Sequence, residues 1–424
     1  MSPVVLERLS LPSRYLLALL REPPRVAQLP DLDESQSEDL VRAAVAHGVA
    51  GIVHDALIRA NGLSRVAPPA LHRLAKLRFG TAAQYLLGSA DLSVLARTLD
   101  TAGVPWAVMK GPSLAHLGYR DTTVRWSCDL DVLVSPDNFA VALDALMGAG
   151  AALLDLNWEL QLRLMRSEAS LRLPLGTLLD LHWHPVNSAE ARSTTSFDVH
   201  AALSRRRLVP NEAGVPLIAL CSIDNLTVVA LHAALSGGHR LVWAKDIERL
   251  VTRDTPDWQD LARRATSAHV ALLVGIMLRR AATLLGASVP PAAVDALLGG
   301  RAQAGVWCIG EHIATPRSLG GMMRTGSAFV LSLRGSPSQT ARALATTARS
   351  YARGRLTPRR NASDKPGAVG SLSTNPLHHP AGGRQARDAY LAAITTESGT
   401  KLAHRARVNP RKVLDDRQIS LSSR

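Results

Sequence analysis

The sequence has few aromatic residues, few cysteines and no long hydrophobic run. Phe, Trp and Tyr make up 4% of the 424 residues. The three cysteines, Cys128, Cys221 and Cys308, are far apart and form no CxxC pair, which argues against a disulfide framework or a cysteine-built zinc site and fits a reducing compartment. The longest apolar stretch, residues 270–278, ends at Arg279 and is too short to span a bilayer.

The start of the chain does not resemble a secretion signal. Glu7, Arg8 and Pro12 interrupt the apolar residues there, so we expect no signal peptide and a cytoplasmic protein. The length of 424 residues is more than one small core needs, and it suggests two to three structural units.

Positive charge is concentrated near the C-terminal end. The net charge is +14 and the isoelectric point is near 10.6, a balance that favours polyanionic partners. Residues 353–424 hold 14 Lys and Arg against 5 Asp and Glu, which is +9 of the total. This segment could bind nucleic acid through phosphate contacts, and a solvated tail without a partner is an equal alternative. Its single aromatic residue, Tyr390, does not suggest a base-stacking platform.

Hydrophobic spacing divides the chain into four regions. It predicts helices in residues 1–100, a mixture of strands and helices in residues 101–196, and helices again in residues 197–352. Residues 353–424 are rich in Arg, Gly, Ser, Pro and Asn and lack periodicity, so we predict a disordered basic tail. The expected fold class is therefore α+β, with a small mixed sheet between two helical regions.

Short apolar runs predict the strands of the middle region. They are residues 104–109, 129–134, 151–154, 170–173 and 178–184.

The strongest chemical signal is the sequence Asp129-Leu130-Asp131 inside the second of these strands. Side chains alternate along a strand, so both carboxylates face the same way with their Cα atoms roughly 7 Å apart. Two such carboxylates repel each other and are costly to bury, and a divalent cation with a preference for oxygen ligands, Mg²⁺ or Mn²⁺, would offset that cost. The alternative is the solvent-facing edge of a half-buried strand.

Cationic residues and a turn precede these acids. Gly111 lies in a turn between a strand and a helix, where backbone N–H groups can meet a phosphate. Lys110 and Arg125 could contact a triphosphate, although an ordinary surface lysine and a surface loop charge are the simpler interpretations.

A third acid and two histidines share a face in residues 179–184. By period two, Asp180, His182 and His184 point the same way. If this strand neighbours the first pair of acids, Asp180 could act as a metal ligand or as a general base. A zinc site of a hydrolase, built on His182 and His184, is a weaker alternative. His182 could line the site and take part in catalysis, and a structural His182 that bonds to the backbone is an equal alternative.

Several motifs occur in one order along the chain: Lys110-Gly111-Pro112-Ser113, Tyr119, Arg125 with residues 129–134, Asp180-Leu181-His182-Trp183, Leu231-His232, and residues 241–247. This order resembles the family of uncharacterised bacterial nucleotidyltransferases within the DNA polymerase β-like superfamily. The resemblance covers about residues 15–320. It implies that residues 101–196 form the catalytic core.

The resemblance implies specific roles for these residues. Asp129, Asp131 and Asp180 would bind Mg²⁺ or Mn²⁺ in a two-metal transfer of an NMP group from an NTP such as ATP, with release of pyrophosphate. In the superfamily, a Gly-Ser turn before the acids binds the phosphates. In this chain Pro112 follows Gly111, and the serine is Ser113.

The acceptor is open on this reading, and a small molecule, a peptide or protein, and RNA are all compatible. The competing hypothesis is a catalytically inactive protein of the same fold that binds nucleic acid through its basic tail. In the later helical region, His232, His239 and Asp246 could line an acceptor site. A core histidine and a plain surface pair of Lys245 with Asp246 are the simpler interpretations.

Overall fold

The fold is α+β, as the sequence predicts. The computed structural model describes residues 9–209, 217–299 and 375–396, together with the isolated positions 341 and 345. It contains a seven-stranded mixed sheet with helices before, between and after the strands. In the part of the chain thus described, no helix is both long and apolar enough to cross a membrane.

The elements follow one another along the chain with these bounds. The helices are α1 (Leu11–Leu20), α2 (Glu34–Ala46), α3 (Ala50–Arg59), α4 (Pro68–Thr101), α5 (Pro112–Gly118), α6 (Phe139–Gly148), α7 (Trp158–Leu164), α8 (Ala189–Arg192), α9 (Val199–Ser204), α10 (Ser222–Leu235), α11 (Leu241–Arg253), α12 (Trp258–Ser267), α13 (Ala271–Leu285), α14 (Pro291–Leu298) and α15 (Gly383–Ile394). The strands are β1 (Trp106–Val108), β2 (Asp129–Val134), β3 (Ala152–Leu153), β4 (Glu168–Arg172), β5 (Leu178–His182), β6 (Arg207–Val209) and β7 (Leu217–Ala219).

The strand that carries the paired acids lies in the middle of the sheet. The strand order is β3-β4-β5-β2-β1-β7-β6, in which β2 runs parallel to β5 and antiparallel to β1. A central strand is covered on both faces and is therefore nearly all apolar. Beyond Asp131, every residue of β2 is apolar and buried, so the two aspartates are the exception in this strand.

The C-terminal part of the sheet was not predicted. Strands β6 and β7 lie in residues 197–352, for which the spacing predicts helices, and β7 pairs with β1 in parallel. Each strand has three residues, which is too short for a period of two to be distinguished from a fragment of helix.

The chain divides into two compact units, each assembled from several stretches. The first, which we call the helical unit, comprises Met1–Leu87, Lys110–Cys128 and Cys221–Pro358, and the second, the sheet unit, comprises Gly88–Met109, Asp129–Leu220 and Arg359–Arg424. All seven strands belong to the sheet unit. The predicted division after residues 100, 196 and 352 stays a prediction.

The helical unit has its own apolar core, in which α1, α2 and α3 take part. Tyr15 and Leu16 of α1 and Leu40 of α2 are fully buried there. Helix α2 begins at a capping box, in which Asp33 accepts a hydrogen bond from the Gln36 N–H and the Gln36 side chain accepts one from the Asp33 N–H. Such a cap satisfies N–H groups that the helix itself leaves without partners.

Part of the tail that was predicted to be disordered is folded. Residues 375–396 form a short 3₁₀ turn, Pro376–His378, and helix α15, which packs against α7 in the sheet unit. The prediction was wrong for this stretch. It rested on the average composition of the tail, and Tyr390 and its few apolar neighbours on α15 hardly change that average. The remaining tail residues, 353–374 and 397–424, lie outside the described residues.

Two helical glycines with different surroundings test the packing of the helical unit. A Cβ atom on Gly51 of α3 would lie 2.5 Å from the Val124 carbonyl oxygen, whereas one on Gly80 of α4 would meet no atom within 4 Å. We expect Gly51→Ala to lower the free energy of unfolding by about 1–3 kcal/mol through this clash. Gly80→Ala should raise it by roughly 0.5–1 kcal/mol through helix propensity. Urea unfolding of both variants measures these changes. Equal changes in the free energy of unfolding would contradict the close contact between Gly51 and the Val124 carbonyl oxygen.

Candidate active site

The register of the sheet brings two of the predicted acids side by side. In the parallel pair β2 and β5, Asp131 lies directly opposite Asp180. Residues that are opposite each other in a sheet share a face, so the two carboxylates project to the same side. Asp129, two positions before Asp131, projects to that side as well. The three acids therefore lie on one face of two adjacent strands.

The neighbouring strand β4 completes this face. Ser170 lies opposite Asp180 and Glu168 lies opposite His182. The Ser170 hydroxyl donates a hydrogen bond of 2.7 Å to Oδ1 of Asp180, which holds the carboxylate in one orientation and leaves its second oxygen available to another partner.

His182 connects acids of two strands. Its Nε2 lies 3.0 Å from Oδ1 of Asp131, and its Nδ1 lies 3.5 Å from Oε2 of Glu168. Glu168 also forms an ion pair with Arg166. The imidazole is 4% exposed, so it lies between two carboxylates in a place that water hardly reaches.

Glu168 and Ser170 were not predicted as site residues. A signal was present, because polar residues alternate with Ala169 and Leu171 along β4. That alternation predicts a strand with a polar face, but it does not say which strand lies beside it. Only the pairing of β4 with β5 brings this face to Asp180.

Burial and the crowding of negative charge perturb Asp180. Burial, followed by the charges of Glu168, Asp129 and Asp131, raises the pKa of Asp180 to about 7, and His182 opposes this shift. The site therefore holds more carboxylate charge than it can stabilise by itself at neutral pH.

These donors fit a divalent cation. Asp131, Asp180 and His182 each offer a ligand atom, and the three atoms lie within 4.8 Å of one another. Two carboxylates and an imidazole suit a divalent metal ion, and the ion's charge would relieve the repulsion that raises the pKa of Asp180. Asp180 thus converges with Asp131 of β2, and His182 lies within the same distance of both.

His184 does not continue the face of β5. The strand ends at His182, and Nδ1 of His184 accepts a hydrogen bond of 3.0 Å from the Val186 N–H. Burial, and then the charge of Arg192, lower the pKa of His184 to about 3, so its ring is neutral. Among the described residues, the metal-competent group contains His182 and not His184, which removes the geometric basis of a zinc site on this histidine pair.

The predicted phosphate-binding turn belongs to the helical unit. Gly111 has a φ of +63°, a value that favours glycine, and it immediately precedes α5. The Ser113 side chain is buried and its hydroxyl donates to the Lys110 carbonyl oxygen at 3.3 Å. Nζ of Lys110 lies 3.4 Å from Nδ1 of His232. Binding of a nucleotide by Lys110, Gly111 and Ser113 stays a prediction.

Arg125 is engaged in a buried ion pair. Its Nε and Nη2 donate to the two carboxylate oxygens of Asp246 at 3.0 and 2.8 Å, and Tyr119 donates to the same carboxylate at 2.9 Å. The side chains of Arg125 and Asp246 are 8% and 1% exposed. The surface loop charge considered for Arg125 is therefore wrong, and so is the surface pair of Lys245 with Asp246. Lys245 is also buried, and it pairs with Glu248 at 2.8 Å.

A comparison with known families agrees with this geometry. The model of a family described as uncharacterised nucleotidyltransferases matches residues 33–286, which is more than half of the chain. The chain belongs to this nucleotidyltransferase family. A search of curated proteins finds no match. The family match includes all seven strands of the sheet and every acid of the site, whereas the helix α15 lies beyond it.

The raised pKa of Asp180 leads to a prediction of how the stability of the protein changes with pH. The pKa of Asp180 is about 7 in the folded protein, whereas the ordinary value for the unfolded chain is 3.8, so the folded protein keeps this proton to a higher pH. The stability that this proton contributes is therefore present at acidic pH and is lost as the pH rises towards and through 7. We expect the melting temperature of the metal-free nucleotidyltransferase to fall between pH 5 and pH 8, and Asp180→Asn to reduce that fall.

Added Mg²⁺ or Mn²⁺ should raise the melting temperature of the wild-type protein more at pH 8 than at pH 6, because a metal ion binds the deprotonated carboxylate. The same melting profile for wild type and Asp180→Asn would contradict this assignment of the titrating group.

The buried pair of Arg125 and Asp246 leads to a separate prediction about stability. Arg125→Ala leaves a buried carboxylate without its cation, and we expect a loss of roughly 3–5 kcal/mol in the free energy of unfolding. Arg42→Ala is a suitable control, since Arg42 pairs with Asp39 on the surface and its removal should change stability by less than about 1 kcal/mol. Urea unfolding measures both, and an unchanged stability of Arg125→Ala would show that the pair has no structural role.

Proposed function

We propose that the chain transfers an NMP group from an NTP to a hydroxyl-bearing acceptor and releases pyrophosphate. The observation that carries this proposal is the opposition of Asp131 and Asp180 on adjacent parallel strands, with His182 beside both. Membership of a nucleotidyltransferase family supports the reaction class. The carboxylate face supports dependence on a divalent metal ion.

The acids would divide the chemical roles among them. Asp131 and Asp180 would hold the metal ion, with Asp129 on the same face of β2 as a further ligand. A bound Mg²⁺ or Mn²⁺ would neutralise phosphate charge and lower the pKa of the acceptor hydroxyl. As the alternative to metal binding, Asp180 would accept the proton of that hydroxyl at the carboxylate oxygen that Ser170 leaves available.

Further residues would support these acids. The Ser170 hydroxyl fixes one oxygen of Asp180, and His182 orients Asp131 through its Nε2. Lys110, Gly111 and Ser113 remain the proposed contacts to the triphosphate. Arg125 is a weaker candidate for that role, because its guanidinium already binds Asp246 in a bidentate pair.

A labelling experiment tests the reaction. The protein is incubated with α-³²P-labelled NTPs, Mg²⁺ or Mn²⁺, and a cell extract as the source of acceptors. We expect label to appear on an acceptor, and treatment with protease, ribonuclease or neither distinguishes protein, RNA and small molecules. Transfer of label only from γ-³²P-labelled ATP would indicate phosphoryl transfer and contradict the proposal.

Variants connect the labelling to the carboxylate face. Asp131→Asn and Asp180→Asn keep the size of the side chain and remove its charge. We expect each to lower transfer by roughly a thousandfold, because loss of a metal ligand removes several kcal/mol of transition-state stabilisation. Asp137→Asn is the matched control, since Asp137 is exposed and pairs with His200 on the surface at 3.3 Å. Full activity of Asp131→Asn would contradict the proposal. If the wild type transfers label from no NTP, the catalytically inactive alternative is favoured.

A further inference from the structure

A segment beyond the family match is docked on the sheet unit. Residues 375–396 follow the matched region 33–286, and their backbone bonds to the loop before α7. The Leu156 and Asn157 N–H groups donate to the Leu377 carbonyl at 2.8 and 2.9 Å, and the Trp158 N–H donates to the Ala381 carbonyl at 3.0 Å. We call residues 375–396 the C-terminal strap.

Docking of the strap requires a glycine. Gly382 has a φ of +82°, and a Cβ atom there would lie 2.8 Å from the Glu159 backbone nitrogen and 2.6 Å from the Ala386 Cβ. On the other side of this turn, Tyr390 of α15 is fully buried. Its ring lies within 6.3 Å of the rings of Phe139 and Trp158, centroid to centroid. The strap therefore packs closely in two places, at the backbone of Gly382 and at the ring of Tyr390.

One chain of contacts leads from the strap to Asp131. The Tyr390 hydroxyl donates to the Arg166 carbonyl at 2.8 Å. The Trp183 indole N–H donates to the same carbonyl at 3.1 Å and to the Tyr390 hydroxyl at 3.2 Å. Arg166 pairs with Glu168, which lies beside His182, the partner of Asp131. The strap thus joins the start of β4 to the end of β5, where the two strands carry residues of the site.

A second chain of contacts leads to Asp180. Nε2 of His378 in the strap lies 3.9 Å from Oδ1 of Asp155, a fully buried carboxylate. The other oxygen of Asp155 accepts a hydrogen bond of 2.9 Å from the Ser170 N–H. The Ser170 hydroxyl in turn donates to Asp180. Both acids that face each other across β2 and β5 are therefore connected to the strap, through different residues.

We propose that the C-terminal strap is a positioning element of the metal-binding site, which holds β4 and β5 in the register and orientation that Asp131 and Asp180 need. The inference rests on the proposed function for its consequence, metal binding, but the bracing of the strands is independent of it. Tyr390 is the positioning residue whose single hydroxyl group connects α15 to the backbone beside Glu168.

The test uses the full chain and two readouts. Affinity for Mn²⁺ is measured by isothermal titration calorimetry at a temperature at which circular dichroism shows every variant to be folded. Hydrogen exchange measured by mass spectrometry reports the protection of residues 166–172 and 178–184 without metal. The variants are Tyr390→Phe, which removes the hydroxyl and keeps the ring, and Gly382→Val, which blocks docking. Gln385→Ala changes an exposed residue of the strap and serves as the control.

We expect Tyr390→Phe to weaken Mn²⁺ binding about threefold to tenfold and Gly382→Val by roughly tenfold or more, in line with the loss of groups that support metal ligands. Both should accelerate exchange in the two segments, and Gln385→Ala should change neither readout. Faster exchange in Gly382→Val with unchanged Mn²⁺ affinity would overturn the positioning role and leave a purely structural strap. Unchanged exchange would overturn the bracing itself. If the wild type binds no Mn²⁺, the proposed function fails, and the positioning role falls with it, while exchange still decides the bracing.

Discussion

Repulsion between carboxylates on one face of the sheet is the constraint on which the site depends. Asp131 and Asp180 are direct neighbours across β2 and β5, and Asp129 and Glu168 add further negative charge. In a half-buried setting this charge is costly. The sheet tolerates it because the strands are held by their own ladders and apolar faces. The free energy of packing thus maintains an arrangement that favours a proton or a metal ion.

The groups around these acids limit the repulsion without removing it. His182 lies between Asp131 and Glu168, Ser170 donates to Asp180, and Arg166 pairs with Glu168. Each contact fixes the direction of a side chain as well as lowering its energy. Such supporting groups are typical of metal sites, in which the orientation of the ligands matters as much as their identity. The geometry therefore belongs to three strands and not to one motif.

In the helical unit, by contrast, buried charges are paired with charges of the opposite sign. Arg125 and Asp246 neutralise each other in a bidentate pair, and Lys245 and Glu248 form a second buried pair. Full pairing leaves little for a ligand to supply, which is characteristic of structural ion pairs. Excess charge of one sign, as on β2 and β5, is characteristic of a binding site. This contrast lowers the weight of Arg125 as a nucleotide contact.

The sequence by itself determined the class of the fold and predicted the strand 129–134 with Asp129 and Asp131 on one face, because these depend on local periodicity and on the chemistry of side chains in one short stretch. It offered Asp180 as a third acid only on the condition that its strand lies beside this one, and the pairing of β2 with β5 meets that condition. Only the tertiary structure decided that β4 lies beside β5, that Glu168 and Ser170 join the site, and that residues 375–396 fold back onto the sheet unit. Strand register and long-range docking depend on partners far apart in the chain. A local pattern therefore shows which face is polar but not which residues will meet there.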